Sequence, residues 1–371
     1  MKPITVMQLV PRLEQGGVER GVVEFSRELI KRGHRSIVVS ASGRLVEQIA
    51  TDGGKHITFD VCSKNPLTAA ARIERLRRII MREKPDILHP RSRVPAWMCW
   101  LAMKFMRERP RLVTTVHGFN SISAYSKVML AGERVIYSSG AVKDYVCANY
   151  RFDESKLRYV PRGIDMSYFD PEKIDKSFIA DFKQQHGLDG RLVVSIVGRI
   201  TQWKGHTDFI KAIGRVRRSS PNVLGLIVGR TAGNKDEYFT ELKKMAEELG
   251  GAEAFRFAGP QKNVREIYAL SDIVVSAASS KPETFGRIAA EAMAMNTPVV
   301  GSAQGGTLDI IKDGEFGLLF EPGNSEMLAE KISEALAANF ADFRGYINDH
   351  FSLEIMTESE LAVYEELIND S

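Results

Sequence analysis

The chain has few cysteines and no long apolar run, and both absences limit what it can be. Its 371 residues include three widely spaced cysteines, Cys62, Cys99 and Cys147, with no CxxC pair. This argues against a disulfide framework or a zinc site and fits a reducing cytoplasm. No stretch approaches the roughly 18–20 apolar residues of a transmembrane helix, and residues 4–10 are too few for a signal peptide. We expect a cytoplasmic protein that at most lies on the inner face of a membrane.

Several ligand-binding motifs are also missing. No GxGxxG follows the first apolar run, and neither a GxxxxGK[ST] phosphate loop nor a GxSxG nucleophile turn is present. No DxD pair occurs, so we do not expect Mg²⁺ or Mn²⁺ held by closely spaced aspartates. The expectation is therefore no cofactor and no metal. Any bound diphosphate would be neutralised by cationic side chains and helix N-termini.

The net charge of +4 is unevenly distributed. Residues 1–168 contain 29 Lys and Arg against 16 Asp and Glu, whereas residues 169–371 contain 22 against 31. Residues 72–111 alone hold 12 basic and 4 acidic residues. A solvated helix face would explain this excess, and so would a surface for an anionic membrane or acceptor. Nucleic acid is not expected as a partner, because no recognition motif accompanies the charge.

Short apolar runs alternate with amphipathic helical patterns along the whole chain. Such alternation predicts parallel sheets covered by helices on both faces, an α/β class. The predicted strands fall into two series: residues 4–10, 36–41, 57–61, 86–89, 112–117, 134–138 and 157–160, then 192–197, 224–228, 255–258, 273–277, 299–302 and 318–320. The first helix carries Val22, Phe25 and Leu29 on one side and is expected to stop at Gly33.

Two series of strands predict two doubly wound, Rossmann-like domains. We place the N-terminal domain at residues 1–168, a linker at 169–190 and the C-terminal domain at 191–351, with a final helix at 352–371. Turn signals such as Asp170-Pro171 support the linker. Ligands bind at the carboxyl ends of parallel strands, so we expect the site in the loops that follow strands, in a cleft between the domains.

Two cations follow the predicted strand 192–197. Arg199 and Lys204, flanked by Gly198 and Gly205, can converge on one pyrophosphate, the first as a planar fork and the second as a point charge. Surface loops also often contain Arg and Lys, so an ordinary loop remains the alternative.

Two carboxylates frame the start of a later helix. Glu283, Thr284, Phe285 and Gly286 end a loop, and Phe285-Gly286 are expected to open a helix that continues through Arg287 to Glu291. Unpaired N–H groups in such a first turn bind anions and hydroxyls. Glu291 lies in an apolar segment, where a carboxylate is costly unless something polar faces it, and ribose hydroxyls would suit. Glu283 would accept hydrogen bonds from sugar hydroxyls in the same way. Alternatively, Glu283 caps the helix and Glu291 pairs with a nearby arginine.

The N-terminal half offers a third set. Gly16-Gly17 follow the first strand, where a loop can close over a phosphate, and a plain turn is an equal alternative. His117 ends a predicted strand before Gly118, which favours a position in the cleft over a core histidine.

Together these segments resemble the retaining GT-B glycosyltransferases of family 4. Residues 161–165 with Phe169 are similar to the family's PNGID-type turn, although Arg162 stands where asparagine is usual. The stretch 91–97 looks like that of bacterial enzymes that build lipopolysaccharide or other envelope glycans.

The resemblance implies a hexosyltransferase with a nucleotide-sugar donor and a lipid-linked or lipopolysaccharide-core glycan acceptor. It further implies that Arg199, Lys204, the Gly16-Gly17 amides and the Phe285 helix N-terminus stabilise the leaving diphosphate, that no metal is required, and that His117 binds the donor sugar. The final helix is implied to cross back onto the N-terminal domain. Two alternatives stay open: a nucleotide-sugar epimerase or phosphorylase on the same scaffold, and a catalytically silent nucleotide-binding partner subunit.

Overall fold

A computed structural model describes residues 2–14, 16–104, 106–231, 237–340 and 342–369. The chain forms two compact units, Met1–Gly163 with Leu353–Ser371 and Ile164–Ser352. We call them the first and the second unit. Asp370 and Ser371, which the sequence analysis joined to the last helix, lie outside the described residues.

The first unit contains a parallel sheet of seven strands in the described part of the chain, in the order β3-β2-β1-β4-β5-β6-β7. The strands are β1 (Thr5–Leu9), β2 (Arg35–Ser40), β3 (Lys55–Thr58), β4 (Ile87–Pro90), β5 (Arg111–Val116), β6 (Arg134–Tyr137) and β7 (Leu157–Tyr159). Its helices are α1 (Gly17–Lys31), α2 (Val46–Thr51), α3 (Ala69–Glu83), α4 (Arg93–Met103), α5 (Gly140–Asn149) and the C-terminal α15 (Leu353–Asn369). Apolar clusters lie on both faces of the sheet, so it is buried from both sides.

The second unit contains a parallel sheet of six strands among its described residues, in the order β10-β9-β8-β11-β12-β13. The strands are β8 (Leu192–Val197), β9 (Val223–Val228), β10 (Phe255–Gly259), β11 (Ile273–Ser276), β12 (Val299–Ser302) and β13 (Leu318–Phe320). The helices are α6 (Lys176–His186), α7 (His206–Val216), α8 (Glu237–Glu248), α9 (Gly251–Ala254), α10 (Val264–Leu270), α11 (Arg287–Ala294), α12 (Thr307–Ile310), α13 (Ser325–Ala337) and α14 (Phe343–Phe351).

Short 3-10 turns complete the described elements, at Pro66–Thr68, Ser126–Leu130, Glu154–Lys156, Pro171–Lys173 and Gln202–Lys204. All thirteen apolar runs form strands, which confirms the predicted α/β class and the two doubly wound sheets. The first helix is also as predicted: Val22, Phe25 and Leu29 are buried, and Gly33 follows its end with φ +79°.

The predicted linker at residues 169–190 is wrong. The chain passes from the first to the second unit at Gly163 and Ile164, and half of the predicted linker is α6 of the second unit. Asp175 starts this helix, because its side chain accepts hydrogen bonds from the N–H groups of Ser177 and Phe178. Phe182 buries one face of it. The turn signals around Asp170 obscured this short helical pattern.

Candidate functional site

Each sheet reverses its strand order beside its first strand. In the second unit, β8 pairs with β9 on one side and with β11 on the other. The loops that leave the carboxyl ends of β8 and β11 therefore start side by side, and open parallel sheets bind ligands at such a reversal. All the predicted donor-site residues of this unit lie in these two loops or on α11, which follows the second loop.

The loop after β8 is fixed against the end of β11. Trp203, in the 3-10 turn Gln202–Lys204, accepts a hydrogen bond at its carbonyl from the Ser279 N–H, at 2.8 Å. Gly205 has φ +74°, and a Cβ added there would lie 1.7 Å from the Ala277 carbonyl oxygen. Only glycine permits this approach, so the turn that carries Lys204 is held beside the residues that follow β11.

Arg199 and Lys204 differ in their surroundings. The Arg199 side chain is exposed, and no hydrogen bond or ion pair holds it within the described parts of the chain. Lys204 forms an ion pair with Glu283, and its ammonium lies 4.5 Å from the centre of the Trp203 ring. His206, at the start of α7, adds no charge at neutral pH, since burial lowers its pKa to about 4. Arg199 is therefore the cation of this loop whose charge is not already balanced.

The Lys204–Glu283 pair joins two residues that the sequence analysis assigned to different tasks. Both side chains are largely buried, with 15% and 17% of their surface exposed. Each charge compensates the other in this partly buried position, which lowers the cost of keeping both there. The structure thus brings the predicted phosphate cation and the predicted hydroxyl acceptor into direct contact.

Glu291 is buried on α11 with a partner at each carboxylate oxygen. Arg287 donates from Nε to one oxygen at 2.7 Å, and the Tyr268 hydroxyl donates to the other at 3.0 Å. The arginine pair was the alternative explanation for this residue, and the structure contains it. A carboxylate oxygen can accept more than one hydrogen bond, so these partners leave capacity for further hydroxyl donors.

The helix after the second loop begins slightly later than predicted. It starts at Arg287 and not at Phe285, whose ring is buried in the core of the second unit. Gly286 precedes it with φ +85°, and no side chain caps the first turn. The N–H groups of that turn therefore keep the anion-binding capacity that helix N-termini have.

A third loop, which the sequence analysis missed, follows β12 and contacts the loop after β11. The Gly306 N–H donates to the Glu283 carbonyl at 2.8 Å, and a Cβ added to Gly305 would lie 2.2 Å from that oxygen. The next residue, Thr307, has a buried hydroxyl without a partner among the described residues. The sequence contained a pattern that could have indicated this loop, because two glycines follow β12 just as Gly16-Gly17 follow β1.

In the first unit, the strand order reverses between β1 and β4. A cavity of about 450 Å³ opens there, which we call the His117 cavity. It is lined by residues that follow β1, β4 and β5, among them Val10, Gly17, Glu19, Arg91, Arg93, Thr115, His117 and Phe119. The structure thus brings Gly17 and His117 to one cavity, while Gly16 precedes α1 as its N-cap without a capping side chain.

His117 is held at one ring nitrogen. Its Nδ1 lies 3.0 Å from Nη2 of Arg162, the residue that departs from the family's asparagine. Burial and the neighbouring charges of Arg162 and Arg91 keep the pKa of His117 well below its ordinary value. The imidazole is therefore neutral at physiological pH.

A buried polar network lies beneath the His117 cavity. Arg91 donates to Gln8 Oε1, at 2.6 Å from Nη2, and forms an ion pair with Glu360 of α15. The Tyr364 hydroxyl donates to Glu360 at 2.7 Å and lies 2.7 Å from His89 Nδ1. Although burial raises it, the pKa of Glu360 stays well below its usual range because Arg91 and His89 stabilise the carboxylate. Sequence reasoning missed this network, in which the directly bonded residues His89 and Tyr364 are 275 positions apart.

The described residues contain no group of three or more His, Cys, Asp or Glu side chains that could hold a metal ion. None of their helices is both long and apolar enough to cross a membrane.

Comparison with known families matches both units. Residues 178–347 match the family model "Glycosyl transferases group 1", and residues 15–168 match "Glycosyltransferase Family 4". A D-inositol 3-phosphate glycosyltransferase of Mycobacteroides abscessus is 32% identical over 250 residues, which cover 66% of this chain. The match spans about half of that relative, 54% of its length.

Solved structures match over almost the whole chain. A glycosyltransferase from Rickettsia africae ESF-5 is 30% identical, with a TM-score of 0.91 and full coverage of both chains. Anabaena Alr3699/HepE, in complex with UDP and glucose, is 20% identical with a TM-score of 0.81, over 98% of this chain and 100% of that one. The second likeness concerns the fold alone.

Proposed function

We infer that this chain, which belongs to the GT-B glycosyltransferases of family 4, moves a hexose-type sugar from a nucleotide diphosphate-sugar to a glycan acceptor. One observation carries the proposal. Arg199 and Lys204 in the loop after β8, Glu283 in the loop after β11 and Glu291 on the helix that follows lie at one strand-order reversal of the second unit, and the Lys204–Glu283 ion pair joins the two loops.

The second unit would hold the donor. Arg199, exposed and without a compensating carboxylate in the described chain, supplies a planar fork for the diphosphate, and Lys204 adds a point charge. The uncapped first turn of α11, with Thr284 to Gly286 before it, offers N–H groups to the same phosphates.

The two carboxylates of this site would recognise hydroxyl groups. Glu283 would accept hydrogen bonds from the transferred sugar, and Glu291 from the ribose. Arg287 and Tyr268 each donate a hydrogen bond to one oxygen of the buried Glu291 carboxylate, and each oxygen retains a lone pair for a hydroxyl.

We propose that the anomeric configuration is retained and that no metal takes part. In a front-side displacement, the departing phosphate oxygen takes the proton of the acceptor hydroxyl, so the protein itself supplies no nucleophile. The charge that develops on the leaving diphosphate would be stabilised by the fixed cations and N–H groups of the second unit, a preorganised electrostatic contribution.

The first unit would bind the acceptor, which we propose is lipid-linked or a lipopolysaccharide core. A cavity of about 490 Å³, here the Trp97 groove, supports an apolar acceptor portion. Its walls are mainly apolar and its rim is basic, with Ile73, Val94, Trp97, Met98, Leu101 and Tyr125 together with Lys64 and Arg72. Apolar walls beside cations suit an amphiphile with a negatively charged head.

We further propose that the basic first unit rests on an anionic membrane surface. The first unit, residues 1–163 with 353–371, carries 29 basic against 21 acidic residues, and Arg107 and Arg109 are exposed. Cations near a surface of anionic lipids each contribute roughly 1 kcal/mol of attraction.

A donor screen tests the proposed function. Purified protein is offered UDP-, GDP- and ADP-hexoses with a glycolipid extract as acceptor, UDP-sugars first because the HepE structure contains UDP. We expect a new α- or β-glycoside whose configuration matches the donor's. A free epimerised sugar, a requirement for inorganic phosphate, or nucleotide binding without turnover would each contradict the proposal.

Two variants link any activity to the site. Lys204→Ala should reduce donor turnover at least 100-fold, as loss of a group that stabilises transition-state charge commonly does. Glu291→Ala should reduce it roughly 10- to 100-fold, because the hydrogen bonds from the ribose hydroxyls to a charged group are lost. Lys331→Ala is the matched control, since Lys331 pairs with Glu334 on the surface of α13. Circular dichroism establishes that each variant is folded. Wild-type rates in either site variant would refute the assignment.

A further inference from the structure

The two ring nitrogens of His117 have different surroundings. Nδ1 faces Arg162, whose Nη2 lies 3.0 Å away. Nε2 is shielded from solvent and finds no hydrogen-bond partner among the described residues. The same imidazole lines the His117 cavity together with Gly17. One ring nitrogen therefore has a partner in Arg162, whereas the other has none among the described residues, in a side chain that lines a cavity.

The chemistry of the guanidinium decides where the imidazole proton is. Arginine donates hydrogen bonds, accepts none and stays protonated, so Nδ1 of His117 has to be the acceptor. A neutral imidazole carries a single N–H, which then resides on Nε2. Arg162 thus selects one of the two neutral tautomers.

Burial and the neighbouring positive charges keep His117 neutral. Burial disfavours protonation most, and the charges of Arg162 on one side and Arg91 beneath the cavity act in the same direction, so the pKa lies well below its ordinary value. Glu19, on the α1 side of the cavity, is the carboxylate among the lining residues and would act in the opposite direction. The net result is a neutral ring with a fixed N–H.

The first unit also makes room for the guanidinium. Gly21 lies on α1, and a Cβ added there would come within 3.0 Å of Nη1 of Arg162. A larger side chain at this position would press against the arginine. The approach of Arg162 to His117 therefore depends on a glycine one turn into the helix.

We propose that Arg162 is a positioning residue that locks His117 in the Nε2–H tautomer, so that His117 is a permanent hydrogen-bond donor to a sugar or phosphate oxygen of the substrate and never a general base. The tautomer follows from the contacts of the first unit, whereas its use on a sugar substrate rests on the proposed function. A buried donor without a partner is unfavourable, and a ligand oxygen removes that cost.

Nitrogen-15 NMR of histidine-labelled full-length protein tests the tautomer directly. His117→Gln identifies the resonances of His117 by their loss. We expect a neutral Nε2–H imidazole in the wild type between pH 6 and 8. Arg162→Lys should retain this signature, because ammonium is also a donor without a lone pair. Arg162→Met should show exchange between tautomers and a higher pKa, since a positive charge is gone.

Arg158→Met is the matched control, because Arg158 lies four residues earlier and pairs with Glu366. Its His117 signals should be unchanged. An Nδ1–H tautomer or an imidazolium at pH 7 in the wild type would overturn the proposal. So would an unchanged tautomer in Arg162→Met. If Arg162→Met does not fold, the wild-type and Arg162→Lys spectra test the proposal, because both should show the neutral Nε2–H imidazole.

A double-mutant cycle tests the consequence for turnover. In Arg162→Met we expect kcat/KM to fall about tenfold, the size of one hydrogen bond, and Arg162→Lys should recover most of it. In the His117→Gln background the Arg162→Met change should cost less than twofold, since a glutamine amide has no tautomer to select. An additive tenfold loss there would mean that Arg162 acts on the substrate or the fold by itself. Absence of any wild-type turnover would instead refute the proposed function and leave the NMR result standing.

Discussion

At the scale of single residues, His89 shows how burial makes stability depend on pH. It is fully buried, and burial together with the charge of Arg91 lowers its pKa to about 4. In the unfolded chain a histidine has a pKa of about 6.5. Below that pH His89 is protonated in the unfolded state but still neutral in the folded state. The folded state therefore loses stability as the pH falls from about 6.5 towards 4.

We expect His89→Gln to flatten this pH dependence. The wild type should lose on the order of 3 kcal/mol through His89 over that range, in addition to the contribution of His117. Glu360 affects stability in a different pH range. Because its pKa is depressed, its contribution to the free energy of unfolding is lost only below about pH 4.5. Urea unfolding at pH 6.5, 5.5 and 4.5, followed by Trp97 and Trp100 fluorescence in a Trp203→Phe background, measures the slope.

His350→Gln is the control for this experiment, since that histidine is exposed and lies in the second unit. It should leave the slope unchanged. An identical slope in His89→Gln and the wild type would show that His89 does not carry the titration. The absolute stability at pH 6.5 is not the criterion, because the variant also loses hydrogen bonds to Tyr364 and Thr115.

At the scale of elements, the site depends on one glycine between two loops. Gly205 has φ +74° and lies where any Cβ would meet the Ala277 carbonyl oxygen. Gly190 offers a comparison, with φ +69° and no atom within 4 Å of an added Cβ. Both positions disfavour L side chains by the same backbone preference, and only Gly205 adds a collision with backbone.

We expect Gly190→Ala to lower the free energy of unfolding by about 1 kcal/mol, the cost of a left-handed conformation. Gly205→Ala should cost roughly 3 kcal/mol or more, because the loop that carries Lys204 has to move away from the end of β11. Urea unfolding followed by Trp203 fluorescence measures both. Equal costs would show that the contact between the loops is not what requires glycine.

Local patterns were enough to predict the thirteen strands but not the helix α6 or the partners of Lys204 and His117. Each strand appears in the sequence as a short apolar run, because a parallel strand covered on both faces is buried throughout. The Lys204–Glu283 pair is different, since it spans 79 positions and exists only because two loops leave neighbouring strands. Arg162 was singled out in the sequence as a departure from the family, yet its contact with His117 required the fold.

At the scale of the whole molecule, the dominant feature is the separation of charge. Residues 1–168 have 13 more basic than acidic residues, and the remainder has 9 more acidic than basic. Counted by unit the difference is smaller, because residues 353–371 bring six acidic residues and no basic one to the first unit, which holds 29 basic and 21 acidic residues against 22 and 26 in the second. The first unit is therefore cationic, and cationic surfaces attract anionic ones over about a Debye length.

We therefore expect binding to vesicles that contain anionic lipid, and none to purely zwitterionic vesicles. Binding should weaken steeply between 50 and 300 mM salt, because screening shortens the range of the attraction from more than 10 Å to less than 8 Å. Arg107→Glu with Arg109→Glu should reduce binding by at least tenfold, since four units of charge change near a surface where each contributes roughly 1 kcal/mol. Vesicle co-sedimentation measures the bound fraction.

The control for the vesicle experiment changes the same net charge in the other unit. Lys244→Glu with Lys262→Glu alters two exposed lysines of the second unit. Binding through Arg107 and Arg109 of the first unit should survive this change. Binding that depends on net charge alone should fall equally in both double variants. No association with anionic vesicles at low salt would refute the membrane proposal and leave the donor site untouched, because Arg199 and Lys204 lie in the second unit.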